Sequence, residues 1–305
     1  MPTAEFVTVD VFTTERFAGN PLAVIPDARV LTADEMQKIA AEFGYAESTF
    51  VLPPENPENS ARVRIFTPTM EIPFAGHPNV GTAFVLGCQG ELFGRPVGER
   101  LRFEEIAGLV EITLLREADT VTGATIRAPR PLELGDEVPT DLVAGCASIE
   151  AAHVRISGHK PVIASVGLPF AIAELENLDA LAAARPNITV FHEAAARHPR
   201  AEGDFSLFLY VRNTENPWHI RARMFAPLDN VMEDPATGSA SAALSAFLAT
   251  RASEVDANMQ ITIEQGVEMG RRSLIELDVA KTGGIVTDVR ITGRCISVMR
   301  GAIDC

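Results

Sequence analysis

The sequence predicts an α+β protein of two similar, pseudo-symmetric lobes, each a curved, mostly antiparallel sheet wrapped around one central helix. Three observations lead there. The first is an internal echo: His77-Pro78-Asn79-Val80-Gly81-Thr82-Ala83 is answered by Asp234-Pro235-Ala236-Thr237-Gly238-Ser239-Ala240. Upstream of each, Arg64-Ile65-Phe66-Thr67-Pro68 is answered by Arg223-Met224-Phe225-Ala226-Pro227. Two distant copies indicate a duplicated domain rather than a solenoid. The second is that each copy opens a run of apolar and small residues, 80–86 and 240–248. A helix apolar nearly all round has to be buried. The third is that most other segments are short, alternating and β-branched, as strands are.

The elements follow in order. Residues 6–12 alternate and read as a strand; 16–21, RFAGNP, read as a loop punctuated by glycine and Asn-Pro. Residues 22–25 form a second short strand. Thr32 with Glu35 three positions on makes a capping box, so a helix runs to about Phe43, where Gly44 stops it. Strands are expected at 46–52 and 62–66, then the first central helix from His77. Further strands fall at 101–103, 110–115 and 125–128. Pro129, Pro131 and Pro139 mark a boundary near residue 130. In the second half, 154–156, 160–166 and 204–212 read as strands, with a helix at 178–184 ended by Arg185-Pro186. Residues 221–225 lead into the second central helix, and strands follow at 260–264, 274–279, 286–292 and 295–300.

A chain of 305 residues, 47% hydrophobic and 22% charged, has the composition of a globular protein with room for two domains. Its net charge of −15 argues against nucleic-acid and anionic-membrane partners, which need a basic face. The cysteines Cys88, Cys146, Cys295 and Cys305 form no CxxC pair and lie near no histidine at ligand spacing, so no metal site is expected. With no signal-like N-terminus and no apolar run of membrane length, the expected compartment is the cytoplasm.

The chemistry of the echo is that of a helix start. Proline belongs in a first turn, where its missing N–H costs nothing. The first N–H groups lack helical partners, and the macrodipole favours an anion there. Gly76, Gly238 and Ser239 leave that backbone open to a carboxylate, though turn formation and packing account for such residues equally well. His77 could donate a hydrogen bond or relay a proton, or simply cap the helix. Asp234 reads first as an N-cap, a role compatible with holding a substrate amine or hydroxyl. Glu47 sits among apolar neighbours in Tyr45-Ala46-Glu47-Ser48-Thr49-Phe50, where a carboxyl tends towards a raised pKa suited to proton transfer. Taken by spacing alone, it is an ordinary edge or surface glutamate. Asn20 with Gly19 shapes a turn and is a candidate to line a cleft, Trp218 and His219 read as packing residues, and Glu104 and Glu105 as solvated. Neither a phosphate-binding lysine loop nor GxGxxG after a strand is present, which argues against a nucleotide.

Four stretches, VDVFTTERFAGNPLAVI (9–25), FGYAESTFVLP (43–53), RIFTPTMEIPFAGHPNVGTAFVL (64–86) and EDPATGSASAAL (233–244), resemble the phenazine-biosynthesis PhzF-like family of the diaminopimelate-epimerase-like superfamily. The resemblance implies a catalytic glutamate at Glu47. It also implies substrate-binding residues Gly76 and His77 in one motif and Asp234, Gly238 and Ser239 in the other. It implies lobes of 1–130 and 131–295, with about 296–305 crossing back to the first and a substrate cleft between them. The implied activity is a proton shift within a small carboxylate-bearing, possibly cyclic amino-acid substrate, by general acid/base catalysis without metal or organic cofactor, in a homodimer. The alternatives are an amino-acid racemase or epimerase on the same fold, or a non-catalytic small-molecule-binding protein. The superfamily's racemases carry a cysteine at each central helix; His77 and Asp234 stand in the matching motifs here, which disfavours a two-thiol mechanism.

Overall fold

The computed structural model describes residues 3–199 and 204–305. The chain divides into two compact units, one of residues 1–127 with 292–305 and one of residues 128–291.

The first unit contains β1 (Thr3–Val11), β2 (Asn20–Ile25), α1 (Ala33–Phe43), β3 (Glu47–Leu52), β4 (Ala61–Phe66), β5 (Glu71–Ile72) and α2 (Gly76–Gln89). These are followed by β6 (Glu91–Leu92), β7 (Arg95–Pro96), β8 (Arg100–Glu105), β9 (Gly108–Glu117) and β10 (Thr120–Arg127). In the second unit, β11 (Glu133–Glu137), α3 (Thr140–Ala147), β12 (Val162–Ser165), β13 (Pro169–Glu174), α4 (Leu178–Ala183), α5 (Ile188–Arg197) and β14 (Leu207–Arg212) precede β15 (His219–Ala226) and β16 (Val231–Asp234). Then come α6 (Gly238–Arg251), β17 (Ala257–Gln265), β18 (Ser273–Thr282) and the long β19 (Ile285–Asp304), whose residues from Thr292 on belong to the first unit.

In the first unit, β1 pairs antiparallel with β2 and with the end of β19, and β2 runs parallel to β3. β3 pairs antiparallel with β4, β4 parallel with β8, and β8, β9 and β10 continue antiparallel. β10 pairs with β19, which closes the ring. A closed sheet has no exposed edge to template aggregation. Inside it lies α2, packed on β1, β2, β3, β9 and β10, with every residue from His77 to Gly87 buried. A Cβ on Gly81 would sit 2.6 Å from Leu22 and 2.8 Å from Val11, so glycine is what lets this helix approach β1 and β2 so closely. α1 carries the expected capping box and ends at Gly44 in the left-handed conformation. It covers the outside of the ring through Met36, Ile39 and Ala40, packed with Phe50 and Phe66.

The second unit repeats the order. β11, β12 and β13 are antiparallel, β13 runs parallel to β14, β14 antiparallel to β15, β15 parallel to β17, and β17 antiparallel to β18. α6 packs on β12, β13, β17 and β18. A second core gathers Phe191, Phe205, Leu209 and Phe225 with the apolar faces of α3 and α4. Burial of such side chains contributes about 1.5–3 kcal/mol each.

Three expectations need correction. The second central helix begins at Gly238 with Thr237 as its N-cap residue, so Asp234 ends a strand three residues before the cap. The expected strands 286–292 and 295–300 are one continuous strand. α3 and α5 were not expected; both lie in the stretch whose sequence carries no motif.

Candidate active site

Glu47 is the first residue of β3 and faces Leu22 across the parallel pair with β2. Asn20, the first residue of β2, is fully buried. His77 is the second residue of α2 and 6% exposed. These three elements bring the side chains into line. Asn20 Nδ2 lies 3.4 Å from His77 Nδ1, and His77 Nε2 lies 3.5 Å from Glu47 Oε2. With the Asn20 amide in this orientation, His77 Nδ1 is the acceptor and the ring proton is on Nε2, on the side of the Glu47 carboxylate but outside hydrogen-bond geometry. Burial pushes the His77 pKa down to about 3. The carboxylate of Glu47 pulls the other way, but an imidazolium would also set two donors against each other at Nδ1. Neutral His77 is therefore the state this geometry supports. The Glu47 side chain is 18% exposed, enough to meet a ligand.

The helix start beside this pair is built by its own residues. Gly76 opens α2 after Ala75, an extended N-cap residue with no side-chain cap, so no protein side chain occupies the first N–H groups from that position. Asn79 donates instead to the Ala75 carbonyl at 3.0 Å, and Thr49 and Thr82 join β3 to α2 through a 2.7 Å hydroxyl contact.

In the second unit the start of α6 is set from a distance. Pro235 holds Asp234 extended. Gln265, fully buried on β17, donates to the Asp234 carbonyl at 2.7 Å and to Thr237 Oγ1 at 3.0 Å, and accepts from the Thr237 N–H at 3.1 Å. The Asp234 carboxylate accepts from the Thr237 hydroxyl at 2.5 Å. Gly266, φ +75°, lies beneath this loop, where a Cβ would meet the Pro235 carbonyl at 2.6 Å. The loop is thus pinned in an extended path, and the helix starts only at Gly238 and Ser239. Asp234 is 8% exposed and Ser239 half-buried.

The structure thus gathers Glu47, Gly76 and His77 in the first unit and Asp234, Gly238 and Ser239 in the second. Asn20, read from the sequence as a turn residue and a candidate to line a cleft, belongs with His77. Gln265 was missed, because only folding brings β17 to the loop. Glu105 is half-buried rather than solvated, and burial pushes its carboxyl up to about 8. Among the described residues no three His, Cys, Asp or Glu side chains are grouped to hold a metal ion. No described helix is long and apolar enough to cross a membrane.

Comparison with known proteins agrees with this architecture. Residues 9–301 match the family described as phenazine biosynthesis-like protein. An uncharacterized isomerase of Mesorhizobium japonicum is 37% identical over 99% of both chains. The trans-2,3-dihydro-3-hydroxyanthranilate isomerase of Pseudomonas aeruginosa is 34% identical over 97% of this chain and 98% of its own. The crystal structure of a Bacillus anthracis phenazine biosynthesis protein of the PhzF family superposes with a TM-score of 0.88, at 27% identity, over 100% of both chains. With its two repeated units and its resemblance to these proteins along the whole chain, this protein is an isomerase of the PhzF-like, phenazine biosynthesis-like family.

Proposed function

We propose that the protein shifts a proton within a small, carboxylate-bearing cyclic amino acid, related to the substrate named for the trans-2,3-dihydro-3-hydroxyanthranilate isomerases it resembles. The observation that carries this reading is the contact of Glu47 with a buried, neutral His77. In it, Glu47 takes a proton from one substrate carbon and returns it to another, as a single general base and acid. The Nε2–H of His77 orients the carboxylate, and Asn20 fixes the tautomer that allows it. The open N–H groups at Gly76 hold the substrate carboxylate and stabilise charge that develops during transfer. In the second unit, Gly238 and Ser239 offer N–H groups of the same kind, and Asp234 an acceptor for an amine or hydroxyl. The proposed assembly is a homodimer, resting on family resemblance alone.

The racemase reading gains nothing from the thiols. Cys88 lies near the far end of α2, Cys146 in α3 and Cys295 on β19, none at a helix start. Burial pushes the Cys146 thiol up to about 12 and that of Cys295 higher still.

The test is turnover of trans-2,3-dihydro-3-hydroxyanthranilate in D₂O, followed by NMR. We expect deuterium at the newly protonated carbon with the native chain and none with Glu47→Gln. Isomerisation by Glu47→Gln at a near-native rate would place the proton carrier elsewhere. Failure of the native chain on this diene, with turnover of another cyclic amino acid, would move the substrate and keep the chemistry.

A further inference from the structure

β8 alternates, with Leu101 and Phe103 buried on the face turned to the interior of the first unit. Glu105 is the next residue on that same face. A carboxyl thus stands where the strand's pattern calls for an apolar side chain. It is half-buried and lies against the side-chain amide of Asn79, in the first turn of α2, outside strict hydrogen-bond geometry. Its surroundings are fixed. Glu105 pairs with Gly108 at the end of the β8–β9 hairpin, and the Ala107 N–H donates to the Pro73 carbonyl at 3.1 Å. The hairpin tip is thereby tied to the segment that enters α2.

The Asn79 amide is fully buried and has one settled role, donation to the Ala75 carbonyl at 3.0 Å. That fixes which end of the amide is nitrogen. Among the described residues, Asn79 Oδ1 accepts no hydrogen bond, and Glu105 has no side-chain partner other than Asn79. A carboxylate cannot satisfy Oδ1, because it has no proton to give. A protonated carboxyl can do both jobs of a cyclic acid–amide pair: its O–H donates to Oδ1, and its carbonyl accepts the second N–H of Nδ2.

We propose that Glu105 is a positioning residue for the Glu47–His77 pair, acting in its protonated form through Asn79 to lock the first turn of α2. The lock runs from Glu105 to Asn79, from Asn79 to the Ala75 carbonyl, and from Ala75 directly into Gly76 and His77. Burial raises the Glu105 pKa to about 8, so the acid form prevails at neutral pH and ionisation breaks the pair above it. No charged side chain offsets this among the described residues. α2 presents Asn79, and β9 presents Gly108, the register partner of Glu105. Glu104, next on β8, alternates to the opposite side and accepts from Asn59 Nδ2 and the N–H groups of Glu55 and Asn56.

The inference rests on the proposed role of Glu47 and His77, so its test has an arm that needs no substrate. Ring signals of His77 in histidine-labelled protein, assigned with His77→Gln, are followed by NMR from pH 6 to 9.5. We expect the His77 signal to move with a midpoint near 8 in the native chain and to stay flat in Glu105→Gln, whose amide still pairs with Asn79. In the kinetic arm, kcat on the diene falls above pH 8 for the native chain, and Glu105→Gln removes that fall. Glu105→Ala and Asn79→Ala lower kcat about tenfold at pH 7 with little change in KM. A native His77 signal that is flat through pH 8 overturns the proposal, as does a shift that persists in Glu105→Gln. A normal turnover by Glu47→Gln would remove the catalytic reading while leaving the NMR arm decisive.

Discussion

The two units share a frame and differ at the starts of their central helices. In the first, Arg64 grips Glu71 with two hydrogen bonds of 2.7 and 2.6 Å and lies 5.0 Å over the ring of Phe66. In the second, Arg223 grips Glu233 with two of 2.8 Å and lies 4.9 Å over Phe225. The same device thus fixes the strand that leads to each central helix. Beyond it the copies part. His77 is inside its helix, on an acid and an amide; Asp234 is outside its helix, on a hydroxyl. Gly81 packs against β1 and β2, whereas its echo Gly238 opens a helix. Duplication kept the packing and released the helix starts to diverge, so one lies beside the proposed general base and the other offers only proposed binding groups.

The sharpest way to break that comparison is to disable each helix start in turn. Glu47→Gln should lower kcat by at least about 10²–10⁴-fold, the range general acid–base groups supply, with fold and KM nearly unchanged. Asp234→Asn should raise KM and lower kcat together by a smaller factor, since it is assigned to binding, and His77→Ala should do likewise. Steady-state kinetics with circular dichroism as the folding control separates them. A greater loss of kcat in Asp234→Asn than in Glu47→Gln would reverse the assignment of roles.

Much of this frame was legible in the chain, because the echo covers both arginine–phenylalanine pairs and both helix starts. Thr32 and Glu35 announced α1 because a capping box is local chemistry. The start of α6 was misplaced for the opposite reason. Asp234 followed by proline looks like an N-cap, but Gln265, distant in sequence, holds the loop extended. Glu105 was misread because a charged residue in an alternating strand defaults to solvent. Only the packing of β8 against the interior shows that its alternation puts it inside. Glu47 and His77 were legible as motif members, whereas their contact and the tautomer set by Asn20 are tertiary facts.

The repeated arginine clamps invite a stability comparison. Arg223 is 3% exposed and also donates to the carbonyls of Leu181 and Ala184, each at 2.8–2.9 Å. Arg64 is 19% exposed and its partner Glu71 24%. Removing one member of a buried pair costs about 3–5 kcal/mol, and of an exposed one about 0–1 kcal/mol. Arg223→Met should therefore lower stability by about 3 kcal/mol or more, and Arg64→Met by about 1 kcal/mol. Both retain the apolar stem over the phenylalanine. Urea titrations give both values; equal losses would mean the clamps are equally buried in solution.

The helix starts also differ in their acid response. His77 is held neutral, with its pKa lowered from 6.5 to about 3 by burial, and no histidine stands in the second copy of the motif. Above pH 6.5 neither folded nor unfolded chain protonates this ring. Between 6.5 and about 3 only the unfolded chain binds the proton, so stability falls as pH falls, by at most about 1.4 kcal/mol per unit. His77→Gln should remove that slope. Unfolding free energies at pH 6.5, 5.5 and 4.5 should then show the native chain losing its advantage over the variant as pH drops. A constant gap would mean that His77 is charged in the fold.

The smallest expected effect tests whether the bare start of α2 is kept open for a ligand. α1 is capped by Thr32, whose hydroxyl accepts from the Glu35 N–H while the Glu35 carboxylate accepts from the Thr32 N–H at 2.7 Å. α2 begins after Ala75, whose backbone, φ −151° and ψ 143°, is already extended as a capping residue requires. Serine there needs no backbone change and adds one oxygen to a side chain that is 9% exposed. It can accept from the first-turn N–H groups that the proposed function reserves for a substrate carboxylate. Ala75→Ser should therefore raise stability by roughly 0.5–1 kcal/mol, the ordinary gain of a cap, while raising KM several-fold. Thr32→Ala is the control: it should cost about 1 kcal/mol and leave KM unchanged, since α1 lies outside the ring. Thermal melts and substrate saturation curves on the same samples read both quantities. If Ala75→Ser gained stability with no change in KM, the N–H groups of α2 would not be holding the carboxylate.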